Sequence, residues 1–305
     1  MSAKIFAVGA GKGGVGKTFI SSSLAITLAK LHHSVLLVDF DLAGANVHTN
    51  LGMEPQKTSI QSFLNGEADL VNLSQPTSIP KLSMIQGVWQ EWEQTPCRRG
   101  QGLQLVQEIR KLPFDFVVID LGPGATATNL EIFSSADEKI LVTNAEPTSV
   151  EKSYRFFEAW ILKQVSENTT PDAYEKIKKA VQEFRAQKQQ GLFSFRKYLN
   201  STANVSFDHF DQMLSHPIRL VVNSCRSHQD QDLGYSVKSV CSKYFDLGID
   251  YSGCVDYDNA VWHSIRNKEP FLIAKPFTKL SGQFLALAKH LSPSENHVIG
   301  IKAVI

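Results

Sequence analysis

The chain predicts an α/β protein of three layers, a mostly parallel central sheet with helices on both faces. Three observations carry this. Apolar runs near 5–10, 35–40, 82–86, 115–120, 139–144, 218–223 and 249–255 alternate with helical patterns at 18–31, 102–111, 126–136, 149–164, 234–245 and 278–291. Strands separated by helices need right-handed crossovers, and therefore pair in parallel. A glycine-rich segment joins the first strand to the first helix, and two of the apolar runs end in aspartates, so the chemistry belongs at the carboxyl ends of the strands. With 305 residues, 43% of them apolar and 20% charged, the chain can bury a large core and reads as a single domain over 1–305.

The first strand, Ile5-Phe6-Ala7-Val8, leads into Gly9-Ala10-Gly11-Lys12-Gly13-Gly14-Val15-Gly16-Lys17-Thr18. The helix after it carries Leu24, Ala25, Leu28, Ala29 and Leu31 at helical spacing. Gly11, Gly13, Gly14 and Gly16 allow the backbone to curl with its N–H groups inward, so that a triphosphate can lie at the positive end of the helix. Val15 in the turn and Phe19 in the first helical turn complete the expected nucleotide contacts. Lys17 supplies a point charge to the β- and γ-phosphates, and the Thr18 hydroxyl is the expected Mg²⁺ ligand. Gly9-x-Gly11-x-x-Gly14 also satisfies a dinucleotide fingerprint, but that motif does not call for Lys17-Thr18, which follow at the spacing of a nucleoside-triphosphate site. Lys12 is unusual: two cations in one short loop repel unless an anion lies between them, and Lys12 can point across a subunit boundary.

The second strand, Ser34-Val35-Leu36-Leu37-Val38-Asp39-Phe40-Asp41, is an apolar run ending in two acids beside the loop. Asp39 is placed to hold the Mg²⁺ shell through water, and Asp41 to orient or deprotonate the attacking water. A third acid, Asp120, closes Phe114-Asp115-Phe116-Val117-Val118-Ile119 and precedes Leu121-Gly122-Pro123-Gly124. Asn129 receives no role. Asn223 ends the strand at 218–223, and Gly253 to Val261 follows the last strand, where Asp256 and Tyr257 either contact a base or form a simple turn.

The run Lys12-Gly13-Gly14-Val15-Gly16-Lys17-Thr18 resembles the deviant Walker A loop of the MinD/ParA family of dimerising ATPases, and the likeness spans about residues 3–163 and 216–291. It implies a P-loop NTPase fold, ATP or ADP with Mg²⁺ as cofactors, and Lys12 as a catalytic residue supplied to the partner subunit's nucleotide. Leu42 to His48 resembles the first switch, which makes Asp41 necessary for hydrolysis and puts Asn46 near the dimer boundary. Asp120 to Gly124 resembles the second switch, in which Asp120 contacts Mg²⁺ through water and the glycines sense the γ-phosphate. Asn223 matches the position that hydrogen-bonds adenine. Both switch segments look more like regulators of flagellar number of the FlhG type than like plasmid-partitioning proteins. The expected function is an ATPase that dimerises on ATP, hydrolyses slowly, awaits a stimulating protein partner, and regulates placement, number or segregation of a cellular structure such as the flagellum or cell pole. The alternatives are a metabolic ATP-dependent synthetase or reductase subunit on the same fold, and a nucleotide-binding scaffold.

Residues 164–215 interrupt the pattern with a helical insertion of about 50 residues, including Tyr174 to Gln190 and Ser206 to Leu214. Ile177, Ala180, Val181 and Phe184 mark one packed face, either covering the sheet and its own partner helix or docking another protein. A net charge of +1 gives no global attraction to nucleic acid, which leaves DNA binding open. No apolar stretch approaches the roughly 20 residues of a membrane span. Residues 297–305 are too short and β-branched for an amphipathic membrane helix, and no signal peptide is apparent. The expected location is cytoplasmic, with recruitment to a pole or surface by a partner. The four cysteines show no zinc spacing and read as buried thiols without a role.

Overall fold

A computed structural model of the protein describes residues 2–42, 44–87, 97–167, 169–186, 194–205 and 217–292. The helical stretch expected at 206–214 and the tail at 297–305 lie outside the described residues. The chain opens with β1 (Lys4–Gly9), α1 (Lys17–Lys30) and β2 (Val35–Phe40), followed by three short helices, α2 (Val47–Asn50), α3 (Ile60–Leu64) and α4 (Leu70–Leu73). Then come β3 (Gln75–Pro76), β4 (Leu82–Ile85), α5 (Gln101–Ile109), β5 (Phe116–Leu121), α6 (Ala127–Ser135), β6 (Glu138–Asn144) and α7 (Pro147–Glu167). Between α7 and β7, in the segment read from the sequence as an insertion, lie α8 (Pro171–Ala186) and α9 (Phe195–Ala203). The chain returns through β7 (Ile218–Cys225), α10 (His228–Val240, continued by one π-helical turn over Cys241–Phe245), β8 (Ile249–Asp256), α11 (Asn259–Arg266), α12 (Phe271–Ala274) and α13 (Lys279–Leu291).

The eight strands lie in the order β3-β4-β2-β5-β1-β6-β7-β8. All neighbours pair in parallel except the two-residue edge strand β3, which is antiparallel to β4. Every residue of β2 is buried, as a strand covered on both faces requires. Two apolar cores follow from the alternation of side chains. One holds α1 together with Phe271, Leu272, Leu280 and Phe284 of the C-terminal helices, and the other holds residues of α5, α6 and α7 together with the insertion. The three-layer fold expected from the alternating runs is therefore the one observed.

The insertion spends its apolar face internally. Ile177, Ala180, Val181 and Phe184 are buried, and the Phe184 ring lies 5.4 Å from Phe195 and 5.5 Å from Tyr244 of the π turn. On the opposite face of α8, Lys178 pairs with Glu175 and Lys179 with Glu183, so these lysines belong to a solvated, charge-balanced surface.

At the end of the sheet remote from the glycine loop, one ion network ties four strands to α13. Glu138, nearly fully buried, takes Lys4 Nζ at 2.9 Å and Arg219 Nε at 2.9 Å, and Arg219 reaches Asp250 at 2.6 Å, which also meets His290. Burial raises the Glu138 carboxyl, but hydrogen bonds from Arg219 and Lys4 outweigh it and hold the group below the ordinary range. Arg219→Met is expected to cost about 2–3 kcal/mol at neutral pH, because among the described residues it leaves Glu138 only Lys4 as a cationic partner. A carboxylate held low contributes stability that is present above its unfolded pKa and lost as the pH falls through its folded value. The difference between wild type and variant in thermal melts should therefore shrink below pH ~4.

Candidate functional site

The carboxyl ends of β1, β2 and β5 converge on the glycine loop. β1 ends at Gly9, and the loop delivers the chain to α1 with Gly16 at the N-cap in the left-handed region (φ 86). A Cβ on Gly16 would stand 2.1 Å from Asn223 Nδ2, and one on Gly11 would stand 2.2 Å from the Lys152 carbonyl oxygen of α7. Glycine is demanded at both positions by close approach and, at Gly16, by backbone conformation as well.

Lys17 and Thr18, the first two residues of α1, both turn onto Asp120 at the end of β5. Lys17 Nζ lies 3.0 Å from Asp120 Oδ1, and Thr18 Oγ1 donates to Asp120 Oδ2 at 2.8 Å. Lys17 is 7% exposed and Asp120 is fully buried. A buried ammonium, a hydroxyl and a carboxylate thus meet beside the glycine-rich cradle of the loop. The hydroxyl and carboxylate are hard oxygen donors of the kind Mg²⁺ prefers, and the cradle with Lys17 suits phosphate, so these residues fit the Mg²⁺-nucleotide that the motif implies. In that role Thr18 and Asp120 would hold the ion and its water shell, and the ion would supply charge neutralisation at the phosphates.

Asp39 stands beside Asp120 in the β2–β5 register and, like it, is fully buried. Its Oδ1 accepts from the Asp41 amide and its Oδ2 from the Val47 amide, both at 3.1 Å. Burial first, and the neighbouring Asp120 second, raise its pKa to about 7. Both oxygens thus engage the backbone of the 41–47 loop, so Asp39 braces the segment that carries Asp41 and Asn46 to the site.

A cleft of about 340 Å³ lies over the loop. Lys12, Gly13, Gly14, Gly16, Lys17, Thr18 and Phe19 line it, with Asp41 on its rim. Gly122 lies beside Asp41: a Cβ added there would stand 3.4 Å from Asp41 Oδ1, an ordinary van der Waals distance. Lys12, at the rim, is turned onto its own chain: its Nζ lies 2.6 Å from Glu146 Oε2 and 3.0 Å from Thr148 Oγ1. The hydrogen bond and charge of Lys12 hold the Glu146 carboxyl below its usual range.

At the expected base end, Asn223 Nδ2 donates to the Val15 carbonyl at 2.8 Å, bracing the loop from β7. Asp256 pairs with Lys279, and the Tyr257 ring carries the Arg226 guanidinium 4.0 Å from its centroid. Neither Asp256 nor Tyr257 lines the cleft over the phosphate loop.

Further residues line the site: Thr49, Asn50, Ile265 and, within the second switch-like segment, Pro123. Asn129 Nδ2 donates to the carbonyls of Gly122 and Gly124 at 3.0 and 3.1 Å, so it pins the second switch-like segment.

Residues 2–194 match the profile of the ParA family, described as the NUBPL iron-transfer P-loop NTPases. The chain belongs to the ParA family. This ParA-family P-loop ATPase is 26% identical over 289 residues to the antiactivator FleN of Pseudomonas aeruginosa, an alignment that covers 94% of the chain and 85% of FleN. It is 32% identical over 153 residues to the flagellum site-determining protein YlxH of Helicobacter pylori, where about half of each protein is covered. In fold it is similar to the septum site-determining protein MinD of Pyrococcus horikoshii, solved with Mg-ADP, at a TM-score of 0.63 and 21% identity over 99% of this chain and 100% of MinD. Among the described residues no helix is long and apolar enough to cross a membrane.

Proposed function

We propose that this ATPase is a nucleotide-driven switch that binds Mg²⁺-ATP, pairs with a second copy of itself, hydrolyses slowly, and regulates the placement or number of a cellular structure, the flagellum first among them. One observation supports the chemical half most strongly: Lys17, Thr18 and Asp120 converge within hydrogen-bonding distance beneath a glycine cradle, with Asp41 and Lys12 on the rim. The likeness to FleN over most of both chains supports the regulatory half. The bound Mg²⁺ would offset phosphate charge. Lys17 would exchange Asp120 for the β- and γ-phosphates, and Thr18 would turn its hydroxyl oxygen to the ion. Asp41 would orient the attacking water, and Lys12 would leave Glu146 to reach the nucleotide of the partner. A site that waits on a residue from another subunit, and on a stimulating protein, turns over slowly when alone. The output of such a protein is its assembly state.

The test is molar mass by light scattering with Mg²⁺-ADP, with Mg²⁺-ATP, and with Mg²⁺-ATP in Asp41→Ala. The expected result is monomer with ADP, dimer with ATP, and a persistent dimer in the variant. A mass indifferent to nucleotide in all three samples would remove the switch.

A further inference from the structure

The second switch-like segment, Gly122-Pro123-Gly124, adjoins three parts of the candidate site. Gly122 lies beside Asp41, Pro123 lines the cleft beside Gly13, and the Gly124 amide donates to the Ala10 carbonyl of the glycine loop at 2.9 Å. Asp120, which holds Lys17 and Thr18, stands two residues ahead of it. A stretch with two glycines has little conformational preference of its own, and Gly124 takes a left-handed backbone (φ 78). Whatever fixes this segment therefore fixes what it presents to Asp41 and to the cleft.

Asn129 fixes it from behind. It sits in the first turn of α6, where its backbone amide donates to the hydroxyl of the N-cap Thr126 at 3.2 Å, so the residue is anchored to the helix start. Its side-chain amide spends both protons on the segment, one on the Gly122 carbonyl at 3.0 Å and one on the Gly124 carbonyl at 3.1 Å. Asn129 is 5% exposed and is not part of the cleft lining, so it acts on the site through the segment and not by contact. The double donation is specific to a carboxamide. Aspartate has the same shape but no proton to give at neutral pH, and alanine has neither donor.

We propose that Asn129 is a positioning residue for hydrolysis: by clamping the Gly122 and Gly124 carbonyls it holds Gly122 beside Asp41 and Pro123 over the phosphate loop, the arrangement in which Asp41 orients water. The proposal rests on the reading of the cleft as an ATPase site given above. Nucleotide affinity comes from Lys17, Thr18 and the glycine cradle, whose contacts do not pass through Asn129, so the clamp bears on turnover and not on binding. Without it the two carbonyls lose their shared donor, the glycines regain their freedom, and Asp41 loses a fixed neighbour. A misplacement of about 1 Å in a group that positions a reactant is enough to cost roughly 10²-fold in rate.

The experiment measures affinity for a fluorescent ATP analogue with Mg²⁺, and phosphate release at saturating Mg²⁺-ATP, for full-length wild type, Asn129→Ala and Asn129→Asp from about pH 5.5 to about pH 8, a range in which a buried carboxyl can titrate. Asn129→Ala is expected to lose roughly 10²-fold in kcat at every pH while its affinity and KM hold. Asn129→Asp should be as slow at the alkaline end, where its carboxylate repels both carbonyls. It should recover relative to wild type as the pH falls, because burial and two facing acceptors favour the protonated acid, which can donate again. The charged groups around the position, Asp41, the Lys17–Asp120 pair and Glu131 with Lys163, are common to all three proteins, so the ratio to wild type isolates the substitution. Turnover in Asn129→Ala equal to wild type, affinity and turnover that fall together, or an Asn129→Asp ratio flat with pH would each overturn the proposal. If Asn129→Asp does not fold, the split between affinity and turnover in Asn129→Ala decides. Wild type that fails to bind the analogue would overturn the ATPase reading and this role with it, whereas wild type that turns over beside an equally active Asn129→Ala would overturn this role alone.

Discussion

Lys17→Ala is expected to abolish Mg²⁺-ATP binding and, in the nucleotide-free protein, to make stability depend steeply on pH. The first effect follows from removing the buried ammonium of the phosphate cradle. The second follows from what Lys17 does without nucleotide: it balances Asp120, which lies in register with Asp39 in a fully buried pair. Without it the two carboxyls stand together, with Thr18 and backbone amides but no ammonium. Breaking a buried ion pair by removing one partner costs about 3 kcal/mol or more. The pair can escape much of that cost by keeping a proton. Burial and the neighbouring Asp120 raise the Asp39 pKa from 3.8 to about 7, and Lys17 is among the groups that lower it. An acid raised in the folded state leaves stability intact below its unfolded pKa and drains it as the pH rises through the folded value. In wild type this drain ends near 7, and in Lys17→Ala it continues above. Urea melts across the range from acid to mildly alkaline pH should show the variant close to wild type at the acid end and increasingly weaker above neutrality. Thr18→Ala, which removes a hydrogen bond and no charge, should give a deficit independent of pH. A pH-independent deficit in Lys17→Ala would mean that Asp120 finds another partner.

The same pair of acids shows where legibility in the sequence ended. The glycine loop, its Lys-Thr pair and the apolar runs ending in acids were all readable, because each is a local pattern with a mechanical reason. Strand-to-helix alternation was enough for the parallel sheet. Asp39 and Asp120, by contrast, look alike as strand-end carboxylates, and only the pairing of β2 with β5 shows that they stand side by side. The contact between Lys12 and Glu146 spans 134 positions and carries no local signal. Four- and five-residue helices such as α2, α3 and α4 are too short to display a period. Helix α10 begins at His228, ahead of the expected start at 234, because its first two turns are polar. The Ser227–Asp230 capping box was the signal that could have placed its beginning. The segment after β8, expected either to contact a base or to form a simple turn, leads into the short helix α11, which brings Ile265 to the cleft.

Lys12→Ala is expected to leave the fold and ATP binding largely intact and to reduce hydrolysis by about 10²–10³-fold, the usual loss when one preorganised donor to a transition state is removed. The fold should not suffer, because the pair Lys12 makes with Glu146 is exposed and such pairs contribute little. The informative comparison is with Glu146→Gln. If Lys12 works on its own chain and Glu146 positions it, both variants lose hydrolysis. If Lys12 must leave Glu146 to act on a partner, Glu146→Gln releases it, and turnover holds or rises. A mixing experiment decides directly. Lys12→Ala retains Asp41 but lacks the lysine, and Asp41→Ala retains the lysine but cannot position water; each alone should be inactive. In a mixed dimer the Lys12→Ala subunit keeps its own Asp41 and receives Lys12 from its neighbour, so hydrolysis should return on mixing. A mixture as inactive as its components, under conditions where light scattering shows dimers, would mean that Lys12 serves the nucleotide of its own subunit.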